Sequence, residues 1–417
     1  MGGKSKYDWP SDEDLAALVK KLGQHGAATS LGVPRPTLQS RLQTRGITAS
    51  KQREKLPEKP IDDPDRLKVT QLEAENKAMR RDLKAYSTAL SDQEAFFERI
   101  VEATKMPVKK PNFTRKKQPK GKPKNSVVLP IFDQQFGQFV REEDTPGNKG
   151  NYSVAEFDRR LARYIEGVKG VIADRAESYN LDELIIAMGG DHLEGDEIFA
   201  GQAWQLELHP IEQAWQLAGK MEAALRELTT FGINEIGMRK VAVYGVDDNH
   251  GKVGGKKSGA RPATYSWNYL FLNLLGLHLR AEPIDQFVIE PGGALFFRCA
   301  GHEFQLIHGH QIRGWGGLPF YGLTKFDGRS IRLHQRVYRY LLMGHHHQPA
   351  TIPNGSGETI VSGDWVGANN LSGMITAASR PQQNVLFVAP KWGIAGVERI
   401  YFTQADDAYE PTPIYEV

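Results

Sequence analysis

Five short stretches of this chain share one form: an apolar run that reads as a strand, then a turn dense in Asp, Asn or His. The turns are Asp133-Gln134-Gln135, Gly190-Asp191-His192-Leu193-Glu194, Asp248-Asn249-His250-Gly251, His308-Gly309-His310 and Gly344-His345-His346-His347. On an extended backbone His345 and His347 would share one face and His346 the other. Neutral imidazoles are good ligands for divalent transition metals, and two of them could grip an ion from one tight turn. A histidine triplet alone reads equally well as a surface cluster; the repetition of the strand-then-ligand form is what points to a metal. Carboxylates, an amide oxygen and several imidazoles suit Mn, Fe or Zn better than a calcium cage.

Such residues meet only if the elements that carry them run side by side. From residue 125 onward apolar strands (127–132, 184–188, 241–245, 304–307, 340–343) alternate with helical stretches such as 156–178 and 210–229. In open α/β sheets the residues just past strand C-termini converge on one crevice. Shorter strands at 287–289, 294–298, 359–361, 385–388 and 399–402 come closer together and suggest a β-rich second half. No internal repeat is present.

The five blocks resemble, in order and spacing, those of the calcineurin-like metallophosphoesterases: Asp-x-His, Gly-Asp-x-x-Asp, Gly-Asn-His, a lone His, and Gly-His-x-His. The resemblance spans residues 125 to about 370 and implies a four-layer α/β/β/α sandwich holding two divalent ions, with Mn expected and Fe or Zn as alternatives. It implies that Asp133 and His347 bind the first metal, that Asp191 bridges, and that Asn249, His308 and His345 bind the second. The ion pair would activate a bridging water and neutralise charge on the phosphoryl oxygens. His250 would stabilise or protonate the leaving group, making His250 and Asp191 the catalytic residues. Glu194 would orient the bridging turn. Gln135 stands where the family has His, which implies a weaker, neutral ligand, and Asp248 replaces the Gly of Gly-Asn-His, a change that Asp's tolerance of left-handed backbone makes mild. His192, His310 and His346 match no ligand position and are expected beside the ligands, facing substrate or exposed; His25, His209, His278, His302 and His334 are read as structural. The Asp-Arg-Gly extension of the Ser/Thr phosphatases is missing, and the style is similar to the Mre11/SbcD-like DNA exonucleases.

The upstream segments favour a nucleic-acid partner. Residues 1–50 read as three short helices with Leu31, Val33, Leu38 and Leu42 as a small core and Gly26, Ala27 and Ala28 at close approach. The stretch from 23 to 42 resembles the helix-turn-helix of Fis-type and homeodomain-like units, which implies that Arg35, Thr37, Gln39 and Arg41 face the major groove. A Lys- and Pro-rich linker (51–64) leads to one long helix (65–105). Its seam positions Val69, Asn76, Leu83, Leu90 and Phe97, with Leu72, Met79, Tyr86, Gln93 and Ile100, suggest a two-stranded coiled coil and hence a homodimer. Residues 105–124 hold nine Lys or Arg, no acid and four prolines, the composition of a disordered basic tether that tracks phosphates. Lys252, Lys256, Lys257 and Arg261, in a glycine-rich loop, and Arg313 with Trp315 are further candidates for phosphate contact or base stacking.

The 417 residues, 40% hydrophobic and 25% charged with a net charge of +3, are those of a soluble globular chain with room for two or three domains. A single cysteine, Cys299, excludes an intrachain disulfide and suggests a cytoplasmic setting. The longest apolar run, 269–279, is too short to span a bilayer, and neither a signal peptide nor a myristoylation pattern opens the sequence. The leading expectation is a dimetal nuclease acting on DNA, targeted by its N-terminal head. A phosphatase or small-molecule phosphodiesterase, and a DNA-binding regulator whose phosphoesterase site has decayed at Gln135, are the alternatives.

Overall fold

The computed structural model describes residues 7, 9–47, 75–77, 80–81, 84, 95, 99, 102, 113–145, 150–199, 201–254, 264–312, 320–355, 357–369 and 379–404. The chain divides into two compact units, Met1–Tyr86 and Ser87–Val417.

The first unit is helical. Helix α1 (Asp12–Ser30) bends at Gly23, whose φ of 71° lies outside the helical region, so it acts as two helices. The Ser11 hydroxyl accepts the Asp14 amide and caps its start. Gly32, at φ 65°, turns the chain into α2 (Arg35–Thr44). Leu15, Val19, Ala27, Ala28, Val33, Leu38 and Leu42 form the core, with Leu31, Tyr7 and Trp9 packed at its edge. The three-helix arrangement expected from the sequence is thus present. The linker at 51–64 and nearly all seam positions of the long helix lie outside the described residues; Asn76 is helical and exposed.

The second unit is a mixed α/β structure with two sheets. The first sheet has six strands in the order β11-β10-β1-β2-β3-β4. Strands β1 (Lys124–Ile131), β2 (Asn180–Met188), β3 (Lys240–Val246) and β4 (Gln286–Glu290) are parallel, while β10 (Gln382–Ala389) and β11 (Gly393–Tyr401) run antiparallel beside β1. The second sheet orders β5 (Ala294–Cys299), β6 (His302–Ile307), β7 (Tyr340–Met343), β9 (Gly357–Val361) and β8 (Ala350–Asn354), with β6, β7 and β9 parallel.

Period-2 alternation explains the layering. In β1, Val127, Leu129 and Ile131 face a core built with α3 (Val154–Ser178), α4 (Pro210–Phe231) and α5 (Trp267–Leu279). Val128 faces the other way and joins Ile185, Ala187, Leu306, Leu342 and Leu386 between the sheets. On the outside of the second sheet, Ile307, Leu341, Met343 and Val361 pack on Leu323, Phe326 and Ile331 of α6 (Phe320–His334). The sequence of layers is helix, sheet, sheet, helix. The apolar run at 269–279 is α5, buried in the first core, and no helix among the described residues is long and apolar enough to cross a membrane.

The basic tether needs correction where it is described. Residues 113–123 lie along the second unit: Gln118 donates to the Leu181 carbonyl at 2.6 Å, Lys122 to Ala176 at 3.0 Å and Arg115 to Arg239 at 3.1 Å, and Phe113 packs on the first core. Their lysines and arginines are spent partly on carbonyls. Charge and proline content suggested a loose chain because composition does not register such anchors.

Candidate metal centre

The parallel strands decide where the site falls. β1, β2 and β3 of one sheet and β6, β7 and β9 of the other all deliver their C-terminal turns to one edge. The five blocks meet there, with a sixth turn the sequence reading passed over. Asp191, His308 and His345 place ligand atoms within 4.8 Å of one another. The His308 Nε2 lies 3.0 Å from Asp191 Oδ2 but is not aligned for a hydrogen bond, while its Nδ1 meets the Gly189 carbonyl at 3.1 Å. That second contact orients the ring with Nε2 towards Asp191; burial opposes charge on the ring, but Asp191 raises it to about 9, so a metal bound at Nε2 would displace a proton. The Asn249 side-chain oxygen is buried without a hydrogen-bond partner, as a ligand oxygen should be.

A second group adjoins it. His347 Nε2 lies 3.6 Å from Asp133 Oδ1, and Gln135 Nε2 lies 3.3 Å from the same imidazole nitrogen. The Gln135 oxygen is buried and unbonded, and half a turn of the amide brings it to where the nitrogen stands. The Asp133 carboxylate accepts the His345 amide at 2.9 Å, tying the two histidine-bearing halves together. Asp364, past the end of β9, meets His347 Nδ1 at 3.3 Å and holds the ring from behind. Its signal is the strand-then-ligand form of the other five turns: 359–361 reads as a strand, and Asp364 lies three residues beyond it.

Backbone strain gathers here. Among the described residues seven non-glycine positions have positive φ, and five of them are Asp133 (50°), Gln135 (44°), Asp191 (48°), His345 (68°) and His347 (56°). Each costs on the order of 1–3 kcal/mol and persists because the surrounding turns over-determine it. This corrects the extended histidine triplet: His345 and His347 are left-handed, and the His346 amide closes a tight turn on the Gly344 carbonyl at 2.8 Å. The two ligand histidines are aimed apart by the turn, one at Asp191 and one at Asp133. Asp248 is likewise not left-handed. Its carboxylate accepts the Asp191 amide at 2.7 Å and the Gly251 amide at 2.8 Å, bracketing the β2 and β3 turns.

The charge balance asks for a cation. Asp133, Asp191, Asp248 and Asp364 are all buried, and among the described residues no Lys or Arg ion-pairs with them. Burial and the neighbouring Asp191 and Asp247 push the Asp248 carboxyl well above its ordinary range. Burial raises Asp191 too, but the His308 and His250 rings outweigh it and hold that carboxyl well below the usual value. His345 is driven down to about 2 by burial and by His308, which keeps its ring neutral, the ligand form. Among the described residues the cationic groups facing these carboxylates are imidazole rings, themselves metal ligands by type, and divalent ions are what such donor sets hold. The residues fit a metal centre.

His250 is placed for proton transfer. Its amide donates to Asp191 Oδ1 at 3.1 Å, its Nε2 lies 3.8 Å from Asp191 Oδ2, and its Nδ1 meets the Glu194 carbonyl at 2.9 Å and carboxylate at 3.4 Å. Burial opposes charge on the ring, but Asp191 and Glu194 prevail and raise it to about 10, so it carries a proton. Glu194 therefore holds His250, with Gln202 donating to it at 2.8 Å. His192 is fully buried. Its Nε2 accepts the Gly190 amide at 3.2 Å and its Nδ1 meets Gln134 at 2.8 Å, making it a buried bracket between two ligand turns. His310 and His346 border the His308 and His345 rings. His278 pairs with Glu222 at 3.0 Å and His302 with the Ala389 carbonyl at 3.1 Å, structural roles as expected.

In the first unit, Arg35 and Gln39 are exposed on α2 and Thr37 is half-buried. Arg41 lies over the Trp9 ring, 5.5 Å from its centroid, with its Nε buried. Lys256, Lys257, Arg261, Arg313 and Trp315 lie outside the described residues, while Lys252 is described and exposed.

No family model and no curated protein matches this chain. Among solved structures, Vps29 complexed with Zn from Entamoeba histolytica is similar at 13% identity over 67% of this chain and 99% of that one, with a TM-score of 0.25. An archaeal phosphodiesterase is similar at 10% identity over 66% of this chain and 99% of that one, TM-score 0.28. A hypothetical protein from Pyrococcus horikoshii reaches 14% identity over 67% and 87%, TM-score 0.32. At scores this low the likeness decides nothing, and function has to be read from the residues themselves.

Proposed function

We propose that the chain is a metal-dependent phosphoesterase of the calcineurin-like class that hydrolyses phosphodiester bonds in DNA. The observation that carries the hydrolase reading is the meeting of Asp191, His308 and His345 beside a protonated His250, all on strand-end turns at one edge. Asn249, His308, His345 and Asp191 would hold one divalent ion; Asp133, His347, Gln135 and Asp191 the other, with Mn the expected metal. When bound, such a pair activates water and offsets charge on the phosphoryl oxygens. His250 delivers its proton to the leaving oxygen, and Glu194 keeps the ring turned towards it. Asp248 and His192 hold the ligand turns in register, and Asp364 keeps His347 from swinging away.

DNA as substrate rests on the segments outside this centre. The compact three-helix head presents Arg35 and Gln39 on its last helix, and the Lys- and Arg-rich stretch follows before the catalytic unit. We take the head as a helix-turn-helix and residues 65–105 as a dimerising helix. The test is hydrolysis of linear, nicked and single-stranded DNA with added Mn, set against a simple phosphodiester and a monoester. Mn-dependent cleavage of DNA is the expected result; cleavage of the monoester alone would make the chain a phosphatase. A chain truncated before residue 113 should keep the chemistry and lose salt-sensitive affinity for duplex.

A further inference from the structure

A cavity of about 160 Å³ opens on the loops that follow β1 and β2, lined by Phe139, Arg141, Asp144, Trp204, Gln205 and Asn369. Ligand pockets for whole small molecules run to about 300–1,000 Å³, so this one has room for a single ring system. Its walls come from the loops that carry the catalytic residues. Phe139 stands four positions after Gln135, so at most about 14 Å of chain separates them. Its amide donates to the Gln205 carbonyl at 2.8 Å, which joins the loop after β1 to the loop after β2. Trp204 stands two positions after Gln202, whose amide donates to Glu194, the residue that holds His250. The cavity and the reacting centre are thus built on one frame.

The lining has an unusual chemistry for a surface. The Trp204 indole is 91% exposed and Phe139 43% exposed, although both belong to a turn structure tight enough to bury Gln202 completely. Around these aromatics stand a guanidinium and a carboxylate, Arg141 and Asp144, 2.8 Å apart, which bring hydrogen-bond donors and acceptors to the wall. A flat heteroaromatic ring with polar edges satisfies both features: stacking on the aromatics, pairing with the charged groups. The wall has no surplus positive charge to draw a phosphate: of the run Glu142-Glu143-Asp144 it is Asp144 that lines the cavity, and Arg141 pairs with Asp144 at 2.8 Å and with Glu143 at 3.2 Å.

We infer that this cavity is a nucleobase subsite, stacking on Trp204 and Phe139 a base whose phosphate, or a phosphate near it in the strand, lies at the metal centre. The inference deepens the phosphodiesterase reading and rests on it for the phosphate, but the base contact can be measured without cleavage. The full chain with Mn is titrated with a fluorescent single-stranded phosphorothioate oligodeoxynucleotide and with an abasic oligomer of equal length, comparing wild type, Trp204→Ala and Phe139→Ala. Wild type should prefer the base-bearing oligomer by about 5- to 150-fold, the scale of one stacked base. Trp204→Ala, at an exposed position where folding is not at stake, should remove most of that preference and leave affinity for the abasic oligomer unchanged. A thymidine 5′-(p-nitrophenyl phosphate) arm separates sources: a loss there too puts the base on the scissile nucleotide, and a loss with the oligomer alone puts it further along the strand. A chain that prefers bases yet hydrolyses no diester keeps the subsite and loses the phosphoesterase reading. Equal affinity of wild type for the two oligomers, or an undiminished preference in Trp204→Ala, overturns the inference.

Discussion

The two halves of the metal centre are unequally built. On one side Asp191, His308 and His345 already hold ligand atoms within 4.8 Å of one another, the His308 ring is oriented from behind, and the Asn249 oxygen has no other partner. On the other side Asp133 has lent its carboxylate to the His345 amide, Gln135 supplies only a neutral amide, and His347 sits between two carboxylates at 3.6 and 3.3 Å. Burial opposes charge on both His308 and His347, but Asp191 overcomes it at the first and Asp133 and Asp364 at the second, so an ion entering either half must displace a proton. Preorganisation without competing bonds is what makes a site tight. The His308 half should fill first, and the His347 half at higher metal concentration.

The largest effect should come from Asp191→Asn, because that carboxylate serves both halves. Hydrolysis should fall by about 10³-fold or more, and metal content measured after dialysis should drop on both sides. His250→Gln should cost about 10²- to 10⁴-fold in kcat with metal content unchanged, which separates proton delivery from ligation. Asp364→Asn should weaken only the second, looser binding step, by about 10- to 100-fold, the usual cost of losing a group behind a ligand. The smallest change is a gain: Gln135→His should tighten that same step by about 10-fold and narrow the gap between the halves. If Gln135→His left the gap as it was, the amide would not be its cause.

The sequence carried most of this centre because each ligand follows a strand that is apolar enough to see. β7 was legible to the residue, and β1, β2, β3 and β6 within a few positions. Strand-end convergence then needed only the parallel order of the sheets. What escaped was decided by tertiary contact. Asp364 was hidden behind a short strand whose paired residues on β7 are eighteen positions away in sequence, so nothing local marked it as a neighbour of His347. The left-handed turns at Asp133, Asp191, His345 and His347 are ones their residue types tolerate but do not announce, and the surrounding hydrogen bonds hold them. The missed strand β8 contains a proline at 353 and is the edge of its sheet, where proline is tolerated but masks the strand pattern. Residues 113–123 were misjudged for the opposite reason: a strongly basic composition said loose, and carbonyl acceptors on the catalytic unit said otherwise.

The central claim is that these scattered groups form one centre for two cations, and anomalous diffraction from Mn-soaked crystals tests it most directly. The account predicts a strong peak among Asp191, Asn249, His308 and His345, and a weaker one, of lower occupancy, among Asp133, Asp191, Gln135 and His347. Ions bound elsewhere on the molecule with none at this edge, or no bound ion at millimolar Mn, would contradict it.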